Sequence, residues 1–135
     1  MNDSIDAKCE HIFHANGIHE FILKEYGMTG ADAIMNQFEE LYQSRTATLT
    51  DPPLHILIVN GPGVLPINYS MQRAKELNNK YPNVGMIRIA LLSDSAFEAR
   101  LVDSFVRLMR FPGIRLRFFG VARRADADQW LLQDN

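Results

Sequence analysis

Apolar and polar positions along the chain fall into short blocks. Leu54-His55-Ile56-Leu57-Ile58-Val59 is an apolar run that stops at Asn60-Gly61-Pro62-Gly63. Val84 to Leu92 is a second run, closed by Ser93-Asp94, and Ile114-Arg115-Leu116-Arg117-Phe118-Phe119 is a third, closed by Gly120. Helical patterns lie between and after them. Strands alternating with helices predict crossovers around a parallel sheet. Upstream, Glu10 to His14 and Ile18 to Tyr26 flank Ala15-Asn16-Gly17, and an Asn-Gly between two strand-like runs predicts a hairpin.

The helices have their own signals. One starting at Thr29 or Gly30 carries Ile34, Phe38, Leu41 and Tyr42 on one face, with Asp32, Glu39 and Glu40 toward solvent. Pro66 suits the first turn of a second helix, where its missing N–H costs little; Met71, Ala74 and Leu77 point inward and Tyr81-Pro82-Asn83 ends it. Ser95-Ala96-Phe97-Glu98 fits a capping box. It opens a helix with Phe97, Leu101, Phe105 and Leu108 buried and Arg100, Asp103, Arg107 and Arg110 wet, with Asp103 one turn from Arg107 and able to pair with it. A last helix spans Ala122 to Leu132, with Ala125, Trp130 and Leu131 packed. The predicted fold is a single α/β domain over residues 10–135. It has a mostly parallel mixed sheet, an N-terminal β-hairpin and about four helices, after a flexible N-terminus of residues 1–9.

Composition narrows the function classes. The 135 residues are 47% hydrophobic and 22% charged, enough for one core. The net charge of -2 argues against generic nucleic-acid binding. The distribution is uneven: residues 1–51 hold nine acids and three bases, whereas residues 88–124 hold eight arginines and three acids. One end of the molecule is therefore expected to be electropositive. The single cysteine, Cys9, excludes an internal disulfide and suits a reducing compartment. No apolar run approaches the roughly 20 residues of a membrane helix, and the acidic start of the chain does not read as a secretory signal. A bacterial-type cytoplasmic protein is the expectation.

The closing residues carry a resemblance. Phe118-Phe119, a short helix and Ala127-Asp128-Gln129-Trp130-Leu131-Leu132 follow the three strand-helix units. Ala127, Trp130 and Leu131 match the Ala-x-x-Trp-Leu pattern that ends SpoIIAA-like, or STAS-like, domains, and Ile87 to Ser93 matches the preceding strand. The chain resembles that family as topology over residues 10–132. The resemblance implies a non-enzymatic regulatory or protein-interaction module, gated by phosphorylation or a small ligand. Anti-sigma-factor antagonists of the family carry Asp-Ser-Ser-Gly at a helix start, with the second serine phosphorylated. The nearest segment here is Asn68-Tyr69-Ser70-Met71, which makes Ser70 the phosphorylation candidate while three of the four positions differ. A phosphate there would meet unpaired backbone N–H groups.

Other chemistry is sparse. Asn60-Gly61-Pro62-Gly63 follows a strand but lacks the Lys-Ser/Thr of a P-loop and the third glycine of a dinucleotide fingerprint. Even so, Asn60, Gly61, Gly63, Ser93 and Asp94 fall at the carboxyl ends of parallel strands, where such folds bind ligands, and form the predicted ligand or partner edge. Arg100, Arg107 and Arg110, with Arg115 and Arg117 on the last strand, form a candidate basic docking patch; a solvated surface is the simpler reading. His11, His14 and His19 cluster in sequence, but His11 and His14 point to opposite faces of a strand and no zinc spacing is completed. No metal, cofactor or catalytic set is therefore predicted. The partner is a protein of unknown identity, with a second copy of the chain and a small ligand as further candidates. The alternative function is a small-molecule or lipid carrier with a CRAL-TRIO-like pocket, lined by Phe13, Phe21, Phe118 and Phe119. A ligand retained through purification would favour it. An enzyme ranks third, because distant residues can converge in space.

Overall fold

A computed structural model describes residues 3–5, 8–45, 52–59, 66–96, 99, 100, 103, 104, 107 and 113–133. Strands β1 (Asp3–Ile5), β2 (Cys9–Phe13) and β3 (Ile18–Leu23) lead into helix α1 (Gly27–Gln43). Then come β4 (Leu54–Val59), α2 (Ile67–Lys80), β5 (Ile87–Leu92) and β6 (Ile114–Phe119). A 3-10 turn (Val121–Arg123) and α3 (Arg124–Leu132) close the chain. The six strands form one sheet in the order β1-β2-β3-β4-β5-β6. The first three are antiparallel; β3 to β6 are parallel. The α/β class, the hairpin and the parallel run agree with the sequence reading.

Period-two alternation divides the sheet into two faces. Phe21, Leu23, Leu54, Ile56, Ile87 and Ile89 pack with Ile34, Phe38 and Tyr42 of α1 and Leu77 of α2. On the opposite face Ile18, Leu57, Ala90, Leu92 and Phe119 pack with Ala127 and Leu131 of α3. Every residue of β5 is buried. That is the expected state of a central parallel strand covered on both sides, and it accounts for an apolar run broken only by Arg88.

Several boundaries differ from expectation. The first nine residues are not all loose: Asp3–Ile5 pairs with Glu10–Ile12 as an edge strand. Three residues are too few for alternation to be read. Helix α1 starts at Gly27, whose φ of +65° turns the chain into the helix two residues before the expected cap. In α3, Ala125 is exposed and Ala127 takes its place in the core, one turn from Leu131. Three α-helices are continuous among the described residues, against the about four expected. Ala96, Ala99, Arg100, Asp103, Ser104 and Arg107 are helical, but Phe97, Glu98, Leu101, Phe105 and Leu108 lie outside the described residues.

Asp32 and Glu39 do more than face solvent. Asp32 accepts from Tyr69 Oη at 2.5 Å and pairs with Arg73, which also reaches Asn36. Glu39 accepts from Lys80 Nζ at 2.6 Å and from Tyr81 Oη at 2.7 Å. A polar seam therefore joins α1 to α2 above their shared apolar floor.

Candidate functional site

The predicted edge at the strand ends is used for construction. Ser93 Oγ accepts from the Ser95 N–H at 3.2 Å, and the Ser93 N–H donates to the Phe119 carbonyl at 3.0 Å. Asp94 Oδ1 accepts from the Val121 N–H at 3.0 Å, which anchors the turn into α3. A Cβ at Gly120 would lie 3.4 Å from that same oxygen, so the small residue lets Asp94 approach. Asn60, Gly61 and Gly63 lie outside the described residues.

Ser70 lies in the first turn of α2, as expected. Its side chain is buried, only 5% of the residue is exposed, and Oγ has no hydrogen-bond partner among the described residues. A buried hydroxyl is not presented to a kinase. The four phenylalanines proposed to line a carrier pocket separate. Phe21 packs edge-on to Phe38 on the α1–α2 face, whereas Phe119 packs against Trp130 on the α3 face. The apolar pocket between α1, α2 and the sheet has a volume of about 40 Å³, room for little more than a water.

Arginine side chains do assemble. β6 is paired on one side only among the described residues, to β5. Arg115 and Arg117 on this strand are exposed. Arg117 and Arg100 line one shallow hollow with Asp103, Leu116 and Phe118. Arg117 and Arg123 line another with Phe119, Asp126 and Trp130. The guanidiniums of Arg117 and Arg123 lie 5.1 Å and 5.9 Å from the centroid of the Phe119 ring, close enough for attraction to its π face. Arg107 is exposed and pairs with Asp103 at 3.0 Å, the predicted one-turn bridge. Arg110 lies outside the described residues.

Two buried charges were not singled out from the sequence. Glu20 is 3% exposed, on the α3 face of β3. Arg124 of α3 grips it with two hydrogen bonds, at 2.5 Å and 3.0 Å, and His14 Nε2 lies 2.6 Å from Oε1. Burial alone would raise the carboxyl, but hydrogen bonds from Arg124 and His14 outweigh it and hold Glu20 below the usual range. Arg88 of β5 is 5% exposed. Its Nη1 donates to the carbonyls of Gln133 at 2.5 Å, Trp130 at 3.3 Å and Leu131 at 3.4 Å, acceptors at the end of α3. A charged residue amid an apolar strand run was the one available signal for it.

The histidines divide by face. His14 goes to Glu20. His11 and His19 meet across the hairpin, with His11 Nε2 3.0 Å from His19 Nδ1. Each imidazole is stacked on a phenylalanine: His11 on Phe21 and His19 on Phe13, both at 4.4 Å between ring centroids. Burial, then the proximity of His11, Arg45 and His55, lowers the pKa of His19 to about 4. His55 is half-buried, and its pKa is lowered by burial and then by Arg88, its neighbour in register. Among the described residues no group of three His, Cys, Asp or Glu is placed to hold a metal ion. No described helix is long and apolar enough to cross a membrane. Comparison with protein families, characterised proteins and solved structures finds no match to this chain.

Proposed function

We propose that the protein is a non-enzymatic, STAS-like interaction module that docks an acidic segment of a protein partner along β6. The observation that carries this reading is the arginine-lined edge: a strand paired on one side only among the described residues, flanked by Arg100, Arg117 and Arg123 over an aromatic floor. An edge strand offers a row of backbone donors and acceptors to an added strand. Arginines on that edge repel a second basic edge and so discourage β6-to-β6 pairing. The same charges complement an acidic strand and speed its approach.

The Ser70 gate has less support than the edge, because phosphorylation would first require the start of α2 to open. The docking surface proposed is therefore β6, not the start of α2. The test is the affinity of the full chain for synthetic peptides of equal length, one acidic and one basic, at two salt concentrations. The expected result is binding of the acidic peptide that weakens with salt and is lost in the double variant Arg117→Glu/Arg123→Glu. Equal binding of both peptides, or full binding by the double variant, contradicts the reading.

A further inference from the structure

The hairpin brings together a pair of donors that the docking edge does not use. His11 and His19 lie on adjacent antiparallel strands, diagonal to one another and two residues out of register: His11 faces Phe21 and His19 faces Phe13. Their facing nitrogens are 3.0 Å apart. Two imidazoles binding one ion at about 2.05 Å each, with nitrogens separated as here, subtend an angle of about 95° at the metal. That is near the right angle of a tetragonal site and short of the tetrahedral angle. Tetragonal nitrogen and oxygen sites select Cu²⁺, with Ni²⁺ next.

The surroundings suit such an ion. The pair opens on a cleft of about 230 Å³ between the hairpin and α1, lined also by Gln37, Glu40 and Ser44. Gln37 is 8% exposed. Its Nε2 donates to the Cys9 carbonyl at 2.7 Å, which holds the amide in place, while its Oε1 is buried with no partner among the described residues. Phe13 and Phe21 hold the two rings by stacking, so little rotamer freedom is left to lose on binding.

We propose that His11 Nε2 and His19 Nδ1 chelate a divalent copper-class ion in this cleft. Water completes the coordination. With two protein nitrogens the site is open and exchangeable.

The test is electron paramagnetic resonance of the full chain with one equivalent of Cu²⁺ in metal-stripped buffer. The expected spectrum is tetragonal with hyperfine splitting from two nitrogens. Each of His11→Gln and His19→Gln removes the two-nitrogen pattern, while His55→Gln keeps it. Should either hairpin variant fail to fold, the unmodified protein decides: Cu²⁺ broadens the imidazole NMR signals of His11 and His19 before those of His14 and His55. No binding, a two-nitrogen pattern retained in both hairpin variants, or broadening first at His14 or His55 overturns the proposal.

Discussion

Arg88 and Glu20 carry charge into the layer between the sheet and α3, and each is satisfied by groups far away in sequence. Removing the Arg88 donor takes a charged hydrogen-bond donor away from the last carbonyls of α3. Arg88→Met is expected to destabilise the fold by about 2 kcal/mol, since hydrogen bonds from a charged donor contribute about 1.5–3 kcal/mol. Amide exchange should rise first in α3, which hydrogen-exchange mass spectrometry reads directly. Acid should act through other residues: His19 and His55, both held low, and Glu20. The lowered pKa of His19 means that the unfolded chain binds more protons than the folded one between about 6.5 and about 4, so stability falls as pH drops through that window. Glu20 is also held low, so its contribution is present above the unfolded carboxyl value and is lost as pH falls below it. Thermal melts in chelator-containing buffer should show a falling midpoint from pH 6.5 to 4 and a further fall below. His19→Gln should lessen the slope of the first segment, where His55 supplies the remainder, and Glu20→Gln should lessen the slope of the second.

At the scale of elements, the readable parts were those whose burial leaves a mark on one segment. β4 and β6 were legible end to end: β4 as an apolar run, β6 from its alternation of apolar and arginine positions. The closing pattern of Ala127, Trp130 and Leu131 marked the packed side of α3, while Ala125 was misplaced because two alanines two residues apart cannot both face the core. What was hidden depends on pairing between segments. Arg88 looked like an interruption because its acceptors lie more than forty residues on. His11 was compared with His14 along its own strand. Counting across the turn at Asn16-Gly17 would have shown that His11 and His19 share a face. That turn is itself testable. Gly17 has φ of +93°, and its amide donates to the His14 carbonyl at 3.0 Å. Gly17→Ala is expected to cost about 1–2 kcal/mol through backbone strain alone, as nothing lies within contact of an added Cβ. Urea unfolding should show a lower midpoint with an unchanged slope.

Over the whole molecule, charge and topology run in parallel. The acid-rich first third builds the hairpin end of the sheet and α1, and the arginine-rich stretch builds β6 and the turn into α3 at the other end. The sheet order places these ends at opposite edges, so the charge asymmetry visible in the sequence becomes a polarity of the molecule. The side of β6 that has no strand partner among the described residues lies at the basic end, and the docking proposal rests on that coincidence. The most direct measurement is a backbone NMR titration of the full chain with an acidic strand-forming peptide. The account predicts shift changes concentrated on residues 114–119 and on the α3 turn at 121–124, suppressed by salt. Changes centred on the hairpin or on α2, with residues 114–119 unmoved, would contradict it.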